Sequence, residues 1–242
     1  MSIVRKTFFI SDLHLEENHP ECAHKFLHFL NTCDSTVDAI YILGDLFELW
    51  IGDDDHTDFN NSLIRALKNV TQALPIYILH GNRDFLIGTH FLEKTGCQLL
   101  SDETVIMLYD IPVLLMHGDT LCTGDIAYLK ARKKMRNRFL QTIFLSCPLS
   151  LRKKIANYLR TTSKRYTATT LPHIMDVTQE AVMRVMQKHK SHHLVHGHTH
   201  KPGLHHFVFD HVQATRFVLG AWHHHGNALK WDMLGNKELI TF

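Results

Sequence analysis

Five times in this 242-residue chain an apolar run of the kind that fills a buried strand breaks off into side chains able to ligate a metal. The sharpest case is Tyr41-Ile42-Leu43-Gly44-Asp45, where a glycine lets the backbone turn and a carboxylate follows at once. Phe8-Phe9-Ile10-Ser11 runs into Asp12-Leu13-His14, and Ile76-Tyr77-Ile78-Leu79-His80 into Gly81-Asn82-Arg83-Asp84. Val113-Leu114-Leu115-Met116 ends in His117-Gly118-Asp119, and Leu194-Val195 in His196-Gly197-His198-Thr199-His200. Sheets of α/β proteins place their ligand sites beyond the carboxyl ends of the strands. Five such ends therefore predict one cluster, with Asp45 at its centre.

The segments between these runs fit that fold class. Strands over 4–11, 38–44 and 75–80 alternate with helices over about 20–33, 60–73 and 88–95, the pattern of βαβ units. Phe26, Leu27, Phe29 and Leu30 make one apolar helix face and Leu63, Ile64, Leu67 and Val70 another. Val105–Tyr109 and Val113–Met116 read as paired strands about a turn at Asp110-Ile111-Pro112. Residues 121–170 read as helices without strands, broken at Cys147-Pro148. They suggest a helical cap inserted into a single domain spanning 1–242, because the strand-end pattern resumes at Leu194. A helix over about 173–188 and short strands around 193–196, 205–209, 215–219, 228–232 and 237–241 complete the chain.

Bulk properties exclude several classes of protein. Hydrophobic content of 45% and a mean hydropathy of −0.12 describe a globular chain. The uncharged stretch Phe139–Leu151 is interrupted by Pro148 and, like every other uncharged stretch of the chain, falls short of the ~20 residues a membrane-spanning helix needs. Met1–Ser11 is too short an apolar start for a secretion signal, which predicts a cytosolic protein. Five cysteines with no C-x-x-C pair predict reduced thiols. Of the 21 histidines, His223-His224-His225 resembles a metal tract, but a bare run says little. Charge is segregated: residues 130–165 hold 12 of the 26 Lys and Arg and no acid, leaving 14 basic against 24 acidic residues elsewhere. That split suggests cation binding in the body and attraction to anions or a membrane surface in the helical segment.

Asp12, His14, Asp45, Asn82, His117, His198 and His200 offer seven oxygen and nitrogen ligands. Asp12 and His14 lie two apart, as do His198 and His200, so an extended backbone would point each pair to one side. Seven such donors suit two divalent ions bridged by Asp45. A set of Asp, His and Asn without Cys favours Mn²⁺, Fe or Zn²⁺ over Ca²⁺ and over structural zinc. Two ions about 3.5–4 Å apart can activate water and clamp a phosphoryl oxygen during in-line displacement.

Asp-x-His, Gly-Asp, Gly-Asn, His and Gly-His-x-His in this order resemble the five motif blocks of the calcineurin-like metallophosphoesterases. The resemblance implies a β-sandwich flanked by helices. Longer stretches resemble the UDP-2,3-diacylglucosamine hydrolase family of lipid A biosynthesis. They are Leu43-Gly-Asp45-Leu-Phe-Glu-Leu-Trp50-Ile-Gly-Asp53, His80-Gly-Asn-Arg83-Asp-Phe, Met116-His-Gly-Asp-Thr-Leu-Cys122-Thr and Leu219-Gly-Ala-Trp222. This implies Mn²⁺-dependent cleavage of the diphosphate of UDP-2,3-diacylglucosamine. Water would attack the uridine-side phosphorus to give UMP and 2,3-diacylglucosamine 1-phosphate. It also implies a bacterial monomer peripheral to the cytoplasmic face of the inner membrane. The residues implied in catalysis are Asp45, Asn82, Arg83 and His198, with substrate contacts at Asn82, Arg83, Asp125, Ser163, Thr167 and His198. Thr167 and Thr170 stand where the family pattern has Asn and Lys.

Arg83 supports this on separate physical grounds. Many relatives carry His after the Gly-Asn, and that His can protonate an alkoxide. An arginine cannot give up a proton but can hold two phosphate oxygens. A diphosphate releases a phosphate monoester, a good leaving group. The alternative use of Arg83 is an ion pair with Asp84 or another carboxylate. Phe139, Ile143, Phe144 and Leu145, set among basic residues, offer apolar walls for acyl chains, or simply a small helical core. His80 and His196 are expected to orient ligands. Competing readings are a metallophosphoesterase acting on another UDP-sugar or a phosphodiester, and a non-catalytic scaffold such as the retromer subunit of this fold. Nucleic acid is not expected as a partner, since the basic segment carries no recognition motif.

Overall fold

The structure, a computed structural model, describes residues 3–242. Strands β1 (Lys6–Ile10), β2 (Val37–Leu43) and β3 (Ile76–Leu79) pair in parallel, joined by helices α1 (Pro20–Thr32) and α2 (Asp58–Thr71). Helix α3 (Thr89–Thr95) leads to a short edge strand, β4 (Gln98–Leu99), which the apolar pattern is too brief to reveal. With β10 (Asn227–Asp232) and β11 (Lys237–Thr241) these make a six-stranded sheet in the order β11-β10-β1-β2-β3-β4. The second sheet, ordered β5-β6-β7-β9-β8, contains β5 (Glu103–Leu108), β6 (Ile111–Met116), β7 (His193–His196), β8 (Gly203–Phe209) and β9 (Val212–Val218).

The two sheets face each other through Phe9, Leu43 and Leu79 from one and Leu115, Val195 and Phe217 from the other. On the outer face of the first sheet, Ile10, Ile40 and Ile42 join Phe26, Leu63 and Leu67 of α1 and α2 in a second core. Helix α7 (Gln179–His189) covers the second sheet with Val182 and Met186 against Leu114 and Leu194. The layers therefore run helix, sheet, sheet, helix. Strands buried on both faces read as unbroken apolar runs, which is why β1, β2 and β3 are so visible in the sequence.

Three local expectations change. The β5–β6 turn is Tyr109-Asp110, both at left-handed φ (47° and 64°), the geometry of a two-residue hairpin. Ile111 and Pro112 already belong to β6, paired with Leu108 and Met107. Helix α7 begins at Gln179, not near 173, with residues 171–178 irregular before it apart from a turn at 172–174. His80 orients no ligand; its Nε2 bonds the Ile87 carbonyl at 2.8 Å.

Between β6 and α7 lie α4 (Ile126–Met135), α5 (Arg138–Ser146) and α6 (Leu149–Thr169), whose only buried residues among those described are Arg152 and Ala156. Ion pairs, more than apolar burial, fasten them to the body. Arg132 bonds Asp119 at 2.5 Å and Asp102 at 2.8 Å; Lys153 pairs with Asp55 at 2.8 Å. Arg160 reaches Glu16 at 2.8 Å and Glu48 at 2.9 Å. Arg152 pairs with Asp54 and donates to the Ile51 carbonyl at 2.7 Å. Much of the basic charge in this segment thus meets the acidic charge of the body. Among the described residues no helix is long and apolar enough to cross a membrane.

Because Asp110 holds a left-handed conformation that glycine adopts freely, Asp110→Gly should leave the fold intact. It should raise stability by about 0.5 kcal/mol or leave it unchanged. A lower urea midpoint would show that the aspartate side chain, not its backbone, secures the hairpin.

Candidate metal centre

The ends of β1, β2 and β3 in one sheet and of β6 and β7 in the other meet at a single place. Asp12, His14 and Asp45 are buried and offer ligand atoms within 4.8 Å of one another. Asp45 Oδ2 lies 4.0 Å from His14 Nε2 on one side and 3.8 Å from His117 Nε2 on the other. On the first side, His14 Nε2 stands 3.2 Å from His200 Nε2, and His200 Nε2 stands 3.3 Å from Asp12 Oδ1. On the second, Asn82 Oδ1 is 2.9 Å from His117 Nε2 and 3.0 Å from His198 Nδ1. All seven predicted ligands therefore come together in two groups that share Asp45.

The reason the pairs converge differs from the sequence expectation. Asp12, His14, Asp45, His198 and His200 all have positive φ, between 50° and 68°. Neither ligand pair sits on extended backbone; each residue is turned inward by a left-handed kink. Such kinks cost of order 1 kcal/mol each for non-glycine residues and persist only where the surroundings fix them. Here the ligand turns brace one another. Asp12 N–H donates to Gly44 O at 3.1 Å, His14 N–H to Asp45 O at 3.0 Å and His198 N–H to Asp12 Oδ2 at 2.9 Å. Gly44, at φ +92°, has no room for a side chain: a Cβ there would lie 2.6 Å from His117 Nδ1.

Around the ligands sits a shell of groups that fix their rings. His117 Nδ1 donates to Leu43 O at 2.9 Å, leaving Nε2 to face Asp45 and Asn82. Glu48, inside the stretch that follows Asp45 but without an expected role, lies 2.9 Å from His14 Nδ1. Asp84 accepts from Leu46 N at 2.7 Å and Gly81 N at 2.8 Å, bracing two ligand turns. His196, 0% exposed, contacts Gly197 O at 2.8 Å and Arg216 at 3.1 Å, just beneath the turn that carries His198. Asp119 is buried and bonded to Tyr128 at 2.6 Å. Apart from His196, these partners were not legible in the sequence, because their contacts with the site join segments that lie apart in the chain.

The electrostatics show what the cluster is built to hold. Burial, with Asp84 and Asp12 nearby, pushes Asp45 up to about 6 despite the opposing charges of His117 and His14. Burial pulls on His117 in the other sense, yet Asp45, Asp12 and Asp119 outweigh it and raise the imidazole to about 9. Burial and the His117 charge hold His198 down, to about 4. Asp12 Oδ1 is buried with no hydrogen-bond partner. Buried carboxylates and imidazoles that compete for protons, with an orphaned carboxylate oxygen among them, fit divalent cations.

Arg83 is not spent on Asp84. Its backbone N–H donates to Asp45 Oδ1 at 2.8 Å, while its buried Nε has no partner. Among the described residues no carboxylate lies in ion-pair range of the guanidinium. With Asn82 it lines a cavity of about 550 Å³ beneath α4, α5 and α6, walled by Trp50, Phe85, Leu86, Phe144 and Leu159. Ser163 lines this cavity; Thr167 does not, and Tyr166 lines it one residue earlier. Asp125 is buried at the start of α4 and accepts Tyr128 N at 2.9 Å and Tyr166 Oη at 2.7 Å.

Known proteins resemble the chain in sequence and in fold. A family model described as calcineurin-like phosphoesterase matches residues 5–202, and the chain belongs to that family. The two-sheet fold is shared with Vacuolar Protein Sorting 29 from Cryptosporidium parvum (TM-score 0.53, 14% identity, covering 100% of this chain and 99% of that one). It is also shared with an archaeal phosphodiesterase (TM-score 0.50, 12% identity, covering 98% and 99%). Much nearer in sequence are the UDP-2,3-diacylglucosamine hydrolases of Coxiella burnetii, 48% identical over 239 residues (99% of this chain, 98% of the relative), and Escherichia coli, 47% identical over 237 residues (98% of each). Within the phosphoesterases, the chain is a member of the UDP-2,3-diacylglucosamine hydrolase family.

The Asp45 shift has a sign that can be tested. A carboxyl raised to about 6 binds its proton more tightly folded than unfolded, so its contribution to stability is present below about pH 4 and lost as pH rises through 6. In chelator-stripped protein at pH 8, Asp45→Asn should therefore be more stable than the parent by on the order of 2 kcal/mol. The metal-induced rise in Tm should shrink in the same variant. A stripped variant less stable than the parent would contradict the charge balance described here.

Proposed function

We propose that this chain hydrolyses the diphosphate of UDP-2,3-diacylglucosamine, releasing UMP and 2,3-diacylglucosamine 1-phosphate. Family membership supports the reaction, and one observation supports the lipid: the apolar cavity that Asn82 and Arg83 line together with Trp50, Phe85, Phe144 and Leu159. A phosphoryl group at the ligand cluster and acyl chains against Phe144 and Leu159 occupy adjoining spaces. Two divalent ions, with Mn²⁺ the proposed pair, supply an activated water and neutralise developing charge on the phosphoryl oxygens when bound. Asp12, His14, Asp45 and His200 would hold one, and Asp45, Asn82, His117 and His198 the other.

The chain's own residues do the rest. Arg83, with an unpartnered buried Nε, binds diphosphate oxygens and steadies the charge on the departing monoester. Because that monoester is a good leaving group, no strong general acid is needed. His198 and Asn82 position the uridine-side phosphorus for attack. Ser163, which lines the cavity, and Asp125, which accepts from the lining residue Tyr166, receive the polar headgroup. Residues 121–170 act as a cap inserted in a single domain. One wall, from Leu140 and Phe144, faces the substrate, while Phe139 and Ile143, 72% and 48% exposed, face outward. With exposed cationic residues on the same helical segment, such as Lys133 and Lys154, that outer face suits the cytoplasmic surface of the inner membrane.

Hydrolysis in ¹⁸O-labelled water tests the reaction directly: the label should appear in UMP. Label in the sugar phosphate would reverse the point of attack, and equal turnover of acylated and deacylated substrates would remove the role given to the cavity. Arg83→Met should lower kcat/KM by about a hundredfold, equivalent to the loss of a charged hydrogen-bonding contact to phosphate. Arg83→Lys, which keeps the charge but not the fork, should fall between the two.

A further inference from the structure

The run His223-His224-His225 lies in the loop between β9 and β10, and none of the motif blocks includes it. Its first member nevertheless stands at the metal centre. His14, His200 and His223 each offer one ring nitrogen, and these atoms lie within 4.8 Å of one another. The His223 ring stacks on His14 with centroids 5.5 Å apart and 11° between planes, and meets His200 edge-on at 5.6 Å.

The placement is built into the backbone. Trp222, 0% exposed, donates its N–H to the carbonyl of the ligand Asp12 at 3.2 Å and its indole N–H to Asn227 O at 3.0 Å. Cys22 Sγ donates to the Trp222 carbonyl at 3.4 Å, and Lys25 Nζ reaches the carbonyls of His223 at 3.5 Å and His224 at 2.8 Å. The loop is thus held by the turn that carries a ligand and by α1. His224 and His225 make no ring contact with the ligand histidines among the described residues.

We propose that His223 is an eighth protein ligand, adding a ring nitrogen from the exposed side to the cation held by Asp12, His14, Asp45 and His200. This rests on the two-cation reading given above. The chemical consequence is selective. A third imidazole on one ion, but not on its neighbour, strengthens that position most for metals later in the divalent series, such as Co²⁺ or Zn²⁺, and least for Mn²⁺. The two positions would therefore differ in metal preference.

Calorimetric titration of the chelator-stripped full chain with Mn²⁺ and with Co²⁺ tests this, together with the visible spectrum of the Co²⁺ form. The parent should take up two ions. His223→Ala should weaken one of the two by about tenfold or more, with a larger loss for Co²⁺ than for Mn²⁺ and an altered Co²⁺ spectrum. His223→Gln, which preserves bulk, should show the same loss, and His224→Ala should match the parent. If both His223 variants bind two ions as tightly as the parent, the proposal is wrong. That includes the case in which KM alone rises, which would assign His223 to substrate. A parent that takes up fewer than two ions would overturn the two-cation reading itself, an outcome distinct from an unaffected variant.

Discussion

Asp45 is 2% exposed and shares its surroundings with Asp12 and Asp84, which are fully buried. Bringing like charges into an interior costs several kcal/mol per group unless something compensates them. The surrounding architecture answers that cost. Five ligand residues adopt left-handed backbone to aim their side chains inward, the turns carrying them hydrogen-bond to one another, and His14, His117, His198 and His200 crowd against the carboxylates. The arrangement is stressed for protons and suited to divalent cations. Buried like charges of this kind are a configuration that stability alone would not select, a conflict common where function sets the arrangement.

The two-sheet core makes this concentration possible. β1, β2 and β3 end on one side of the interface and β6 and β7 on the other, so ligands from residues 12 to 200 reach one point without a long loop. Packing between Phe9, Leu43 and Leu79 and the facing Leu115, Val195 and Phe217 fixes the distance between the sheets. Ligand spacing is therefore set by close-packed side chains, which resist deformation. Glu48 ties this rigid centre to α6 through Arg160, while Asp119 ties it to α4 through Arg132 and Tyr128. The helices that wall the apolar cavity are thus joined to the ligand cluster by charged bonds.

Most of the ligand set was legible in the sequence, since a buried parallel strand is a continuous apolar run and the polar residue that ends it is conspicuous. The pairing of Asp12 with His14 nonetheless has a different physical cause from strand alternation. Alternation along an extended backbone puts Asp12 and His14 on one side in principle, but both lie in left-handed turns after β1 has ended. The β5–β6 turn was misplaced in the same way. Pro112 looked like a turn former, yet the hairpin relies on Tyr109 and Asp110 at positive φ. Backbone handedness at non-glycine residues leaves little trace in residue type.

The sequence by itself determined the alternation of strands and helices, the seven candidate ligand residues, and the separation of acidic body from basic helices, because each follows from local pattern and composition. Only the tertiary structure decided how those charges are used. Arg132, Arg152 and Arg160 serve as fasteners to the body, Arg83 stays unpaired at the cavity, and His223 reaches the cluster while its two neighbours do not. Contacts across a hundred residues depend on how the layers pack, and no local run of amino acids encodes them.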